Sequence, residues 1–158
     1  MNIFHSMKIP PWQWKVYRFL IMTTRTFPGN FKSLEPISDY IIQEAQQMGF
    51  SPEDIYAIQT AVDEACSNII DHAYEGENKG EIRIKINEID NGLKITLHDF
   101  GKPFDPGEID EPDLISPLEM RKERGLGIFF IRQLMDKVIF KFTPSNGNKL
   151  TLIKFKGD

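Results

Sequence analysis

A single cysteine, Cys66, stands in a chain of 158 residues, so no internal disulfide can form. The fold must rest on its apolar core, which a chain of this length can bury, and a reducing cytoplasm is the expected compartment. Cys66 lies among Ala65, Ser67 and Asn68 with no histidine pairing it in a nucleophile motif, which predicts a small packing residue. No run reaches the roughly 18 consecutive apolar residues of a membrane-spanning helix. A basic excess is also missing. Lys and Arg number 19 against 23 Asp and Glu, and the net charge of −4 gives no electrostatic reason to expect nucleic acid or an anionic membrane as partner. The phosphate-loop pattern GxxxxGK[ST] is absent. There is no internal repeat and no low-complexity tract. What remains, 41% apolar and 27% charged, describes one ordinary soluble globular domain.

Residues 1–21 carry Lys8, Lys15 and Arg18 but no continuous apolar core and no small-residue cleavage site, so they do not read as a signal peptide. Met7 and Met22 are alternative starts. The stretch is read as an N-terminal extension, in part poorly ordered, with Trp12 and Trp14 in local packing roles. The domain proper is placed at 22–158.

The run Ser51–Tyr74 is the strongest helical signal. Ser51 can cap the free N–H groups, Pro52 suits the first helical position, and Glu53 and Asp54 favour the positive end of the dipole. Ile55, Ile58, Val62, Ala65, Ile69 and Ala73 recur at three- and four-residue steps and predict a core-facing stripe. Glu64, Asn68, Asp71 and His72 keep the same period and predict a polar stripe beside it. A helix over Ser33–Met48 precedes it, stopped at Gly49, and Phe19–Phe27 reads as a strand. Clean alternation over Glu81–Ile89 and Leu93–Leu97, about Asp90-Asn91-Gly92, predicts a hairpin. Pro103–Lys122 holds four prolines and no sustained period, as a lid or a disordered segment does. A helix from Arg124-Gly125-Leu126-Gly127 to about Asp136 follows. Strands at Val138–Phe142 and Leu150–Phe155 close the chain about Pro144–Gly147. This order predicts an α+β fold, with a mostly antiparallel or mixed sheet covered by helices on one face.

Three polar clusters thus stand at the ends of regular elements, and each alone is ambiguous. The Glu64 stripe can be a base and metal-ligand set or a solvated face. Asp99-x-Gly101 can receive an exocyclic amine of a base or simply cap a turn. Gly125-Leu126-Gly127 can admit a phosphate to a helix start or serve as a lid hinge.

Their order and spacing resemble the GHKL (histidine kinase-like) ATPase superfamily. Glu64-Ala-Cys-Ser-Asn68-Ile-Ile-Asp-His72 resembles its N box, Asp99-Phe-Gly101 its first glycine box and Arg124-Gly125-Leu-Gly127 its second. More narrowly, DEACSNIIDHAY, DFGKPFDP and RGLGIFFIRQLMDKV resemble the anti-sigma-factor serine-protein kinases, over about residues 22–155. The resemblance implies a two-layer α/β sandwich of the Bergerat type. It implies an ATP- and Mg²⁺-dependent kinase that phosphorylates a small STAS-type anti-anti-sigma protein and binds a sigma factor. It also implies a cytoplasmic homodimer.

By the same resemblance Glu64 is the general base, Asn68 the Mg²⁺ ligand and Asp99 the reader of adenine. Gly101 lets the base lie close, Gly125 and Gly127 bind phosphate beside Arg124, and Asp71, His72, Phe104, Leu126 and Ile128 line the nucleotide site. Two positions depart from the pattern. Pro103 replaces a glycine of the histidine kinases, although Pro-Phe-Asp-Pro fits the anti-sigma branch. Gly147-Asn148 stands where Gly-Thr is frequent, and Asn148 is expected to reach adenine through water. No phospho-acceptor histidine helix precedes the domain, which argues against a complete histidine kinase. Two alternatives stay open: a kinase of this family that binds no sigma factor, and a nucleotide-dependent binding module without kinase activity.

Overall fold

The computed structural model describes Pro10, residues 24–105, Gly107 and residues 123–157. Apart from Pro10, the extension at 1–21 lies outside the described residues, as do most of the segment between Pro103 and Lys122 and the strand positions expected before Thr24.

Five strands form one sheet in the order β1-β2-β3-β5-β4, where β1 is Thr24–Pro28, β2 Glu81–Ile89, β3 Gly92–Asp99, β4 Lys137–Thr143 and β5 Gly147–Phe155. Every neighbouring pair is antiparallel, which decides between the mixed and antiparallel expectations. Among the described residues three α-helices, α1 (Leu34–Gln47), α2 (Pro52–Asn68) and α3 (Glu123–Leu134), supply the second layer. The alternation of β2 puts Ile82, Ile84 and Ile86 on the helix side. In register with them, the rows Ile84–Leu97–Leu150 and Ile86–Ile95–Leu152 run across three strands. Helices contribute Ile37, Tyr40 and Ile41 from α1, Ile58 and Val62 from α2, and Ile128 and Ile131 from α3 to the same core. At about 1.5–3 kcal/mol for each fully buried aliphatic side chain, these contacts fix the register of the sheet.

The ends of the elements follow local chemistry. Ser51 caps α2, its Oγ accepting the Asp54 N–H at 3.1 Å. Asn30 does the same for the short 3₁₀ turn Phe31–Ser33 that leads into α1. Cys66 is fully buried, and burial pushes its thiol far up in pKa with Asp63 adding to the effect, so a packing role stands.

One expectation fails in an informative way. The Ser51–Tyr74 run is not a single α-helix: after Asn68 the chain forms a π-turn over Ile69–Ala73, with the Tyr74 N–H donating to the Ile69 carbonyl five residues back. The wider turn breaks the 100° phase on which the polar stripe was built.

Candidate functional site

The α2 helix with its π-turn is the spine of the site, and two other segments meet it at different heights. At the level of Glu64 and Asn68 it meets the first turns of α3. The helix α3 begins at Glu123, so Gly125 and Gly127 lie inside it rather than before it. Gly127 faces α2 so closely that a Cβ there would collide with Glu64 Oε1 and come within 3.2 Å of Asn68 Nδ2. Glycine there lets α3 approach the two polar side chains of the spine without moving them. Asn68 Nδ2 is itself buried without a hydrogen-bond partner, a cost of about 1–3 kcal/mol if nothing ever satisfied it. Asp63 Oδ1, on the residue before Glu64, is in the same condition, and burial raises its carboxyl pKa.

One turn further along, at the π segment, the spine meets the end of β3. The Ala73 carbonyl accepts the Lys102 N–H at 2.8 Å. A Cβ on Gly101 would collide with the Ala73 backbone, so this glycine is required by packing against the spine. Asp99, the last residue of β3, is buried at 4% exposure. Its Oδ1 accepts the Gly101 N–H at 2.9 Å and an Asn148 Nδ2–H at 2.9 Å. Burial raises the pKa of Asp99 above 3.8, while the Asn148 amide, the Gly101 N–H and the nearby His98 each pull it down. His98 Nε2 in turn contacts the Asn146 carbonyl oxygen, and its ring stacks at 4.5 Å on Phe100.

Asn148 sits opposite Asp99 because β5 starts at Gly147, three residues earlier than the alternation suggested. Its second N–H donates to the Lys102 carbonyl at 2.8 Å, and its Oδ1 accepts the Phe104 N–H at 3.1 Å. Asn148 is thus bonded directly to Asp99 and to the turn after it.

The sequence marks Tyr74 only as the end of a helix. Its hydroxyl donates to the Glu81 carbonyl at 2.6 Å and accepts the Phe100 N–H at 3.1 Å, tying the start of β2 to the residue after Asp99. Its ring lies over Gly80. An aromatic residue followed by a glycine-containing loop was the available signal, but nothing in the periodicity marked it.

The remaining expected site residues divide. Asp71, on the π-turn, is exposed, and the π-turn takes it out of the expected stripe. His72 is partly buried on the same turn. Ile128 is 5% exposed and its side chain belongs to the hydrophobic core. Leu126 is half-buried. Phe104 packs at the edge of the core with its ring 4.9 Å from that of Phe140. Arg124 lies in the first turn of α3. The spine thus sets a half-buried carboxylate and a carboxamide against the first turns of α3, and its extension meets the turn that follows the buried carboxylate Asp99.

Comparison with known proteins agrees with this arrangement. The family model described as "Histidine kinase-like ATPase domain" matches residues 27–154. A serine-protein kinase RsbW of Bacillus cereus is 39% identical over 98 residues, which is 60% of this chain and 61% of that protein, so the match spans less than two thirds of the relative's length. The RsbW of Bacillus velezensis is 33% identical over 116 residues, 70% of this chain and 71% of the relative. Among solved structures, the RsbU and RsbW domains of a Mycobacterium tuberculosis protein share the fold with a TM-score of 0.59 at 14% identity, over 84% of this chain and 32% of that one. The chain belongs to the histidine kinase-like ATPase domain family, as a relative of the serine-protein kinases RsbW.

Proposed function

We propose that this chain is an ATP-dependent serine-protein kinase and anti-sigma factor, whose substrate is a small STAS-type anti-anti-sigma protein in a partner-switching system. The observation that supports it most is the meeting of Glu64 and Asn68 with Gly127, on the same spine whose extension contacts the turn after Asp99. Phosphoryl transfer needs little covalent chemistry from the protein beyond positioning, charge neutralisation and one base. In this reading Asp99 accepts the exocyclic amine of adenine, and the glycines at the start of α3 admit the phosphates to its N-terminal N–H groups. Glu64 accepts the proton of the substrate serine.

The donor set fits a magnesium ion. Asn68 has one buried polar end without a partner, and its amide oxygen and nitrogen exchange places by a half rotation. Among the described residues no three His, Cys, Asp or Glu cluster as a protein-only metal cage. Mg²⁺ commonly takes one or two protein oxygens and completes its shell with phosphates and water. When bound it would neutralise phosphate charge, with Asn68 as its protein ligand.

The same reading places residues 22–158 in the ATPase domain and the protein in the cytoplasm as a homodimer, with the antagonist and a sigma factor as its partners. The net charge of −4 gives no electrostatic reason to add nucleic acid or an anionic membrane to that set. Among the described residues no helix is long and apolar enough to cross a membrane.

The test is single-turnover transfer from labelled ATP to purified STAS-type proteins of the same genome, beside calorimetry of nucleotide binding. Glu64→Gln keeps the size of the side chain and removes its basicity, so binding is retained and transfer falls by roughly 10²–10⁴-fold. Transfer by Glu64→Gln at the wild-type rate would overturn the assignment of the base.

A further inference from the structure

We propose that Asn148 is the positioning residue that sets base selectivity, by holding the Asp99 carboxylate in one orientation and pinning the turn from Gly101 to Phe104. The inference rests on the reading of Asp99 as the acceptor for the base amine, and it goes beyond that reading by assigning the residue that makes the acceptor selective.

The argument starts from what one carboxamide can do. An asparagine side chain has two N–H donors and an oxygen acceptor. Here both donors are used within the protein, one on Asp99 Oδ1 at 2.9 Å and one on the Lys102 carbonyl at 2.8 Å. The oxygen takes the Phe104 N–H at 3.1 Å. Asn148 is 8% exposed, so water competes little for these bonds. Its place in the sheet is rigid as well, directly across from Asp99 in the β3–β5 pairing.

The consequence falls on Asp99. Both of its hydrogen bonds land on Oδ1, from Asn148 and from the Gly101 N–H. With one oxygen doubly engaged, the carboxylate is held in one orientation, and Oδ2 is the oxygen left to accept from a ligand. Two donors on Oδ1 also stabilise the charged, acceptor-only form in a place where burial favours the neutral acid. A protonated Asp99 could donate to a guanine carbonyl as readily as accept from an adenine amine. An ionised one can only accept, and it leaves a carbonyl facing a negative charge. Discrimination between the two bases therefore depends on the group that keeps Asp99 oriented and ionised. His98 acts in the same direction by charge, and the partly buried Tyr74 phenol, whose hydroxyl is held by Glu81 and Phe100, is the other titratable neighbour.

The experiment measures ADP and GDP binding by calorimetry across pH for wild type, Asn148→Ala, Asn148→Thr and Asp99→Asn, with folding checked by far-UV circular dichroism. Asn148→Ala is expected to lower the ADP-to-GDP affinity ratio by roughly 10- to 100-fold, the worth of a hydrogen bond to a charged group. It should also move the acid limb of ADP binding to higher pH, because a donor that favours the ionised carboxylate is gone. Threonine keeps one donor for Asp99 and loses the pair of bonds to Lys102 and Phe104, so Asn148→Thr should restore the ratio and the pH limb in part. A merely structural residue would lower affinity for both nucleotides together and leave the ratio and the pH limb where they were. If Asn148→Ala does not fold, Asn148→Leu, of similar size and without donors, carries the test: a lowered ratio and a pH limb moved to higher pH support the proposal, and wild-type values of both overturn it. Unchanged ratio and limb in Asn148→Ala, with the ratio lost in Asp99→Asn, would overturn the role of Asn148 and leave Asp99 as the base reader. An unchanged ratio in Asp99→Asn would instead remove the reading on which the proposal stands, and the proposal with it.

Discussion

Gly127→Ala separates the geometry of the site from the stability of the fold. In an exposed helix interior this change would stabilise by about 1 kcal/mol, because alanine loses less backbone freedom than glycine. Here the new methyl would land on Glu64 Oε1, the far end of a flexible side chain, and within 3.2 Å of Asn68 Nδ2. Turning Glu64 away costs on the order of 0.5–1.5 kcal/mol if it leaves a favoured rotamer, and Asn68 must yield by a few tenths of an ångström. The two effects nearly cancel, so urea denaturation should place the variant within about 1 kcal/mol of wild type. The base, however, is no longer where the substrate hydroxyl arrives. Transfer should fall by about 10²-fold or more, close to the loss in Glu64→Gln, and the double variant should lose little beyond either single one. A loss of more than about 3 kcal/mol in stability would mean that the contact is rigid and that α3 itself is displaced. Wild-type transfer in Gly127→Ala would show that the meeting of Gly127 with Glu64 has no bearing on catalysis, and the site geometry proposed here would fail.

Two further predictions follow from the Asp99 turn. Tyr74→Phe removes a hydroxyl that serves two backbone groups, the Glu81 carbonyl and the Phe100 N–H, so unfolding free energy should drop by about 1–2 kcal/mol and nucleotide binding should weaken; unchanged denaturation and binding would show that water replaces the hydroxyl at no cost. Asp99, whose pKa burial raises in the fold, binds its proton more tightly there than in the unfolded chain, so its contribution to stability declines as pH rises from 3.8 through its folded value. The melting temperature of wild type minus that of Asp99→Asn should therefore fall over that window in the nucleotide-free protein, and a difference that rises with pH would show that the hydrogen bonds outweigh burial.

The division between local and tertiary information can be traced residue by residue. The hairpin around Asn91 was legible because strict alternation and a turn-forming Asp-Asn-Gly leave one register that buries Ile82, Ile84 and Ile86. The cap at Ser51 and the core stripe of α2 were legible for the same reason, since both depend on spacing within one element. The π-turn after Asn68 was not. Its residues have ordinary helical composition, and what selects the wider turn is the demand of Ile69 and Ile70 for the core together with the docking of Ala73 on Lys102. That turn is why Asp71 leaves the polar stripe.

Sequence by itself determined the antiparallel hairpin, the helical spine, the order of the three polar clusters and the family they resemble, because each is carried by period and spacing along the chain. Tertiary structure alone decided that Gly127 packs on Glu64, that Gly101 packs on Ala73 and that Asn148 stands across the sheet from Asp99. The last pair is separated by 49 positions in the chain. Their contact exists only because β5 pairs with β3 in a register set by the core rows behind it, and burial then leaves the Asn148 amide no competitor for the Asp99 carboxylate.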